Sequence, residues 1–196
     1  MKNHFLLLSL LLLLSVSAAA QKGTVGVKAG LNYSTAHFAN VEGVDEKAGI
    51  VAGVFAEAGK REVRFQLEIL YSREGFKTMD EDLFDINVRL NYINIPLMVK
   101  VYPVKWLSLD VGYQAGILWN AVAHKTSSYL GNVPENTDVP GMRSVNNSLL
   151  LGITFRLGEK VDLSARYNLG ISDLANKKEG DMFRSRVGQF TLGYRF

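Results

Sequence analysis

The 196-residue chain contains no cysteine, and its 22 Lys and Arg against 19 Asp and Glu leave a formal net charge of +3. Without a thiol there is no lipoprotein anchor, no disulfide framework, no cysteine metal site and no thiol nucleophile. Losing Lys2 with a leader brings the charge to about +2, which leaves no polybasic footprint for nucleic acid.

The chain opens "MKNHFLLLSLLLLLSVSAAAQ", one lysine followed by an apolar run from Phe5 to Leu14 and then small residues. Ala18, Ala19 and Ala20 fit the small-residue rule for signal cleavage. Residues 1–20 therefore read as a signal peptide cut after Ala20, with residues 21–196 as one mature domain. The run is broken at Ser9 and Ser15, and falls short of the roughly 20 residues a membrane anchor requires. No second long apolar run follows and mean hydropathy is near zero, so a helical membrane protein is excluded. A soluble protein and a membrane β-barrel both survive, because barrel strands hide apolar residues in alternation.

That alternation runs through the mature chain. In "TVGVKAGLNYS" (24–34), Val25, Val27, Ala29, Leu31 and Tyr33 share one face. The pattern is weaker over 48–58, with Ile50, Ala52, Val54 and Ala56 aligned, and clean over 62–73, where Val63, Phe65, Leu67, Ile69 and Tyr71 oppose Arg64, Gln66, Glu68 and Ser72. Further strands read at 86–102, 106–120, 147–157, 161–171 and 185–196, making eight. The closing strand, "VGQFTLGYRF", aligns Phe190, Leu192, Tyr194 and Phe196. The connections run about 13, 3, 12, 3, 26, 3 and 13 residues, short turns ("GKR", "PVK", "GEK") alternating with long polar loops. Short turns at one end and long loops at the other predict an all-β, eight-stranded antiparallel up-and-down transmembrane β-barrel, with the short turns in the periplasm. A soluble barrel would bury its apolar face and has no need of long loops at one end only.

With that orientation, Tyr33, Tyr71, Tyr92 and Trp119 are expected in an outer aromatic girdle and Tyr102, Trp106, Tyr194 and Phe196 in a periplasmic one. Tyr102 and Trp106 are out of phase with the apolar faces of their strands. The opposite face carries Lys28, Glu57, Arg64, Glu68, Lys100, Asp110, Arg156, Asp162, Arg166 and Arg195, a packed polar core if it points inward. Arg64 and Glu68 stand about 13 Å apart along one strand, as do Asp162 and Arg166, so each is expected to pair with a charge on another strand. In "INVRLNYINIPLMVKVY" the apolar phase flips between Tyr92 and Ile93, which predicts a β-bulge or the end of the embedded part. Pro96 predicts interrupted pairing.

Catalytic constellations are sparse. His4 leaves with the leader; His37 and His124 fall in predicted loops near Ser34 and Ser127–Ser128. A His–Ser pair acting on lipid would also need an orienting acid and an oxyanion site. Glu42, Asp45 and Glu46 are ordinary loop acids, so solvated histidines are the preferred reading. Asp80, Glu81, Asp82 and Asp85 do not follow the EF-hand spacing and read as a solvated acidic loop. No phosphate-binding glycine loop or zinc motif is present. No catalytic, cofactor-binding or metal residue is assigned.

The segments "VGVKAGLNYS", "YINIPLMVKVYP", "LDVGYQAGI" and "FTLGYRF" together resemble the porin-like, PorT-type outer-membrane β-barrel family across essentially the whole mature chain. The resemblance implies an eight-stranded barrel in the outer membrane of a Gram-negative envelope, not a single activity. It also implies that the last strand, with its terminal aromatic, resembles the signal read by the barrel-assembly machinery. The expected function is an integral barrel with a structural, anchoring or surface-interaction role and no catalysis. Its partners are outer-membrane lipids, the assembly machinery and an envelope or secretion partner, with no nucleic acid. The alternatives are a small-solute porin, a secretion- or envelope-complex subunit and, last, a lipid-modifying enzyme.

Overall fold

The computed structural model describes residues 23–37, 44–60, 62–79, 84–127, 137–138, 144–172 and 184–196. Among these residues one sheet holds nine strands: β1 Thr24–His37, β2 Val44–Lys60, β3 Val63–Met79, β4 Phe84–Val104, β5 Leu107–Ser127, β6 Thr137–Asp138, β7 Val145–Leu157, β8 Val161–Gly170 and β9 Arg184–Arg195. Eight of them form the closed antiparallel barrel. Each long strand pairs with its chain neighbour, and β1 closes the ring on β9 from Gly26↔Arg195 to His37↔Arg184. The ninth, β6, adds two residues to β5 at Val122 and Ala123. Closure leaves no open edge, which is what a sheet in hydrocarbon requires.

The first five strands and β7 are longer than the apolar alternation alone predicts. β4 and β5 each run 21 residues, against about 10 for a strand that crosses a bilayer. The excess lies at the long-loop end, where β3 and β4 stay in register to Met79↔Asp85, so the predicted loop of about 12 residues is largely ladder. Apolar alternation ends where one face stops meeting lipid or core, but backbone pairing needs no apolar face.

The two faces separate as the pattern predicts. Phe65, Leu97, Leu109, Leu151, Phe190 and Leu192 point out, and Phe196 is 73% exposed, while Lys28, Glu68, Lys100 and Arg166 point in and are buried. All ten of the predicted inward charges lie on the inner face or at its short-turn mouth. Gly26 serves this packing: it pairs with Phe55, and a Cβ there would collide with the buried Phe55 ring. At the turn into β8, Gly158 takes φ +71°, the left-handed region that glycine enters freely.

β4 departs from the predicted reading. Its side chains keep one phase from Leu90 to Tyr102, even numbers inward. Tyr92 and Tyr102 are both buried inside and belong to neither girdle. The apolar pattern changes face because Leu90 and Tyr92 fill the upper interior while Ile93, Ile95 and Leu97 face out. A bulge does sit there, but on the partner strand: Asn91 pairs with Asn120 and Tyr92 with Leu118, leaving Trp119 as the extra residue. The β3–β4 ladder skips from Leu67↔Leu97 to Leu70↔Asn94, a gap at Ile95 and Pro96, where the proline has no amide hydrogen to give. Tyr33 and Trp119 toward the long loops, and Trp106, Tyr194 and Phe196 toward the short turns, do face outward. Trp106 stacks on Phe155 at 6.2 Å, and Tyr194 meets Phe196 edge-on at 5.6 Å.

Candidate functional site

The interior is the candidate site, and inward alternation of every strand builds it. At mid-barrel, Glu68 of β3 accepts Lys28 Nζ of β1 at 2.6 Å and a two-pronged Arg166 fork from β8 at 2.7 Å per prong. Gln66 Nε2 donates to the same carboxylate. Beside it, Lys100 of β4 lies 3.5 Å from Asp110 of β5 and donates to Thr154 Oγ1 at 3.1 Å. Thr154 donates to Asp110 at 2.6 Å, as does Ser108 at 2.7 Å. These charges are buried, so each pair stands only because its partner is in place, although the buried Arg166 Nε makes no hydrogen bond.

Toward the short turns, Glu57 of β2 gathers Arg64, Arg156 and Arg195, the last at 2.5 Å. Asp162 lies 3.4 Å from both Arg156 and Arg195. Tyr102 donates its hydroxyl to Glu57 at 3.3 Å and accepts from Arg156 at 2.6 Å. Arg64 and Glu68 thus pair across strands rather than with each other, and Arg166 reaches Glu68 rather than Asp162, as the strand spacing predicts.

Toward the long loops the character changes. Val51, Leu70, Leu90, Tyr92, Leu150 and Val187 fill the space with amides and hydroxyls between them. Asn32 donates to Ser72 at 2.6 Å, and Ser72 and Asn94 donate to Glu74 at 2.8 and 3.2 Å. Glu74 was not among the predicted inward charges, although it continues the even-numbered phase of Glu68 and Ser72. Ser34, weighed as a nucleophile, instead donates to Gly75 O at 2.7 Å and accepts from Gly75 N at 2.9 Å. It bridges β1 to β3 where the β2–β3 register shifts between Glu46 and Val51.

The side chains of His37, His124 and Asp85, and all of Asp80, Glu81 and Asp82, lie outside the described residues, as do the leader and much of the 121–146 loop. Among the described residues no cluster of three His, Cys, Asp or Glu could hold a metal ion. What the interior can do chemically is hold eight strands in register with charge pairs and close the lumen with side chains.

The model of the outer membrane protein beta-barrel domain matches residues 19–176. No curated protein matches the chain. Among solved structures, the chain is similar to the attachment invasion locus protein Ail of Yersinia pestis, in a complex with the heparin analogue sucrose octasulfate: 15% identity, 89% of this chain and 99% of that one, TM-score 0.56. It is also similar to the Neisserial surface protein A, at 16% identity over 88% of this chain and 97% of that one, TM-score 0.57. At these identities the likeness is one of fold.

Proposed function

Because the chain belongs to the outer membrane protein beta-barrel domain family, we propose that it works as a closed outer-membrane barrel whose long-loop end is an interaction surface and whose short turns lie in the periplasm. The observation that carries this reading is the pair of 21-residue strands β4 and β5, which outrun a bilayer at the long-loop end while side chains fill the lumen. Ladder beyond the membrane is paired backbone held out in water, a rigid platform for contacts rather than a passage. Catalysis has no support in the described side chains, since Ser34 is committed to the backbone of Gly75.

Protease added to intact cells tests the placement. The expected cuts fall between residues 121 and 146, with the short turns spared until the membrane is broken. Cutting at the short turns of intact cells, or folded protein in the soluble periplasm, overturns it. The porin alternative has its own measurement. Planar-bilayer recording of the purified barrel is expected to give no large, stable conductance steps, because eight strands enclose little more than their own side chains.

A further inference from the structure

The floor of the short-turn mouth carries positive charge that the two carboxylates paired with it do not neutralise. Arg64, Arg156 and Arg195 all converge on one oxygen, Glu57 Oε1, at 2.8, 3.3 and 2.5 Å. Among the described residues, Asp162 is the other carboxylate paired with this trio, 3.4 Å from Arg156 and from Arg195. Three guanidiniums therefore meet two carboxylates, and one positive charge is left over. The ring of Tyr102 lies 5.2 Å from the Arg64 guanidinium and 4.7 Å from that of Arg156. Its π-face holds both cations in place without cancelling a full charge. Arg64 Nε and Arg195 Nε are buried and make no hydrogen bond; Arg195 Nε is 3.4 Å from Asp162 Oδ2, an ion contact without hydrogen-bond geometry.

A cavity of about 710 Å³ opens over this floor, with Lys105 and Pro103 in its wall. Glu62 and Glu159 also line it, from the exposed turns, so the attraction belongs to the floor and not to the whole mouth. That arrangement selects a compact anion over a polyanion, which would meet the rim carboxylates first. Donors arriving from several strands suit a tetrahedral oxyanion, whose acceptors point in more directions than those of a flat carboxylate. The cavity is far larger than an inorganic ion and falls in the size range of small-molecule sites, about 300–1,000 Å³.

We infer that the short-turn mouth binds a phosphate ester, its phosphate on Arg64, Arg156 and Lys105 and its organic part against Tyr102 and Pro103. The ester comes either from the aqueous compartment or from a phospholipid headgroup of the adjacent leaflet, since Lys105 is followed by the exposed Trp106, a residue type that favours the bilayer interface. Trp106 and Trp119 are the two tryptophans of the chain. In the mature barrel carrying Trp119→Phe, purified in uncharged detergent, Trp106 is the single reporter.

Glycerol 3-phosphate is titrated against glycerol with chloride at matched ionic strength. The expected result is a saturable change in Trp106 fluorescence with the phosphate ester alone. Affinity should fall about tenfold in Lys105→Gln and in Arg64→Gln, the loss of one charge-assisted hydrogen bond. Lys105 sits on an exposed turn, so its variant decides the matter if Arg64→Gln fails to fold. Repeating the titration in phospholipid nanodiscs assigns the source: binding retained means a free ester, and binding lost to competition means the headgroup. A response reproduced by chloride, no saturable response, or full affinity in Lys105→Gln overturns the inference.

Discussion

The two halves of the barrel interior are held by different physics. Toward the short turns, the charged pairs around Glu68, Asp110 and Glu57 occupy the lumen. Toward the long loops, Leu70, Leu150, Val187 and Tyr92 fill it, with Asn32, Ser72 and Asn94 between them and Glu74 as its buried acid. The charged half gains little net stability from its pairs, because desolvation offsets attraction, yet losing one partner is severe. The neutral half behaves as an ordinary core in which each loss scales with volume. Directional pairs set register at one end; shape fills the other.

Removing one member of the central pair should have the largest effect. Glu68→Ala strands Lys28 and Arg166 without their shared carboxylate and should cost about 4 kcal/mol. The urea midpoint of the purified barrel reads this directly, and a shift below about 1 kcal/mol would mean that water reaches the charged half and the contrast is false. Leu70→Ala, in the neutral half, should cost about 3 kcal/mol through the cavity it leaves. Restoring the volume with Met should recover most of that loss, a rescue no apolar residue can offer at Glu68. Asn32→Ala should cost only about 1 kcal/mol, the value of its bond to Ser72. Its Oδ1 has no partner to lose. A larger loss at Asn32 than at Leu70 would reverse the account of the neutral half.

Much of this was legible in the chain, and the exceptions share a cause. Period-2 phase alone placed ten charged side chains on the inner face, because a strand has only two faces to offer. Phase does not name partners. Arg195 meets Glu57 across 138 positions, a pairing set by closure and by the stagger of the strands, which no local pattern encodes. Tyr92 and Tyr102 were misplaced for the opposite reason: the interfacial habit of aromatic rings outweighed the phase of β4, and phase was right. Trp119 shows how a bulge hides, since the flip visible in β4 reflects the filling of the upper interior while the extra residue sits on β5. The strand ends at Met79 and Asp85 left no apolar mark because backbone ladder needs none.

The seam between β1 and β9 sets the barrel's folding order. Every other long pairing joins strands that follow one another in the chain, and each can form as a hairpin as soon as both strands are present. The seam alone joins Gly26 to Arg195, and Phe196 N donates to Val25 O at 2.9 Å. Its loop-closure entropy spans nearly the whole chain, so it must form last and slowest. The cut in this ring is therefore a kinetic choice and not a structural necessity. A permuted chain that begins at Val161, with a short linker joining β9 to β1, should reach the same barrel with its slow step moved to the β7–β8 junction.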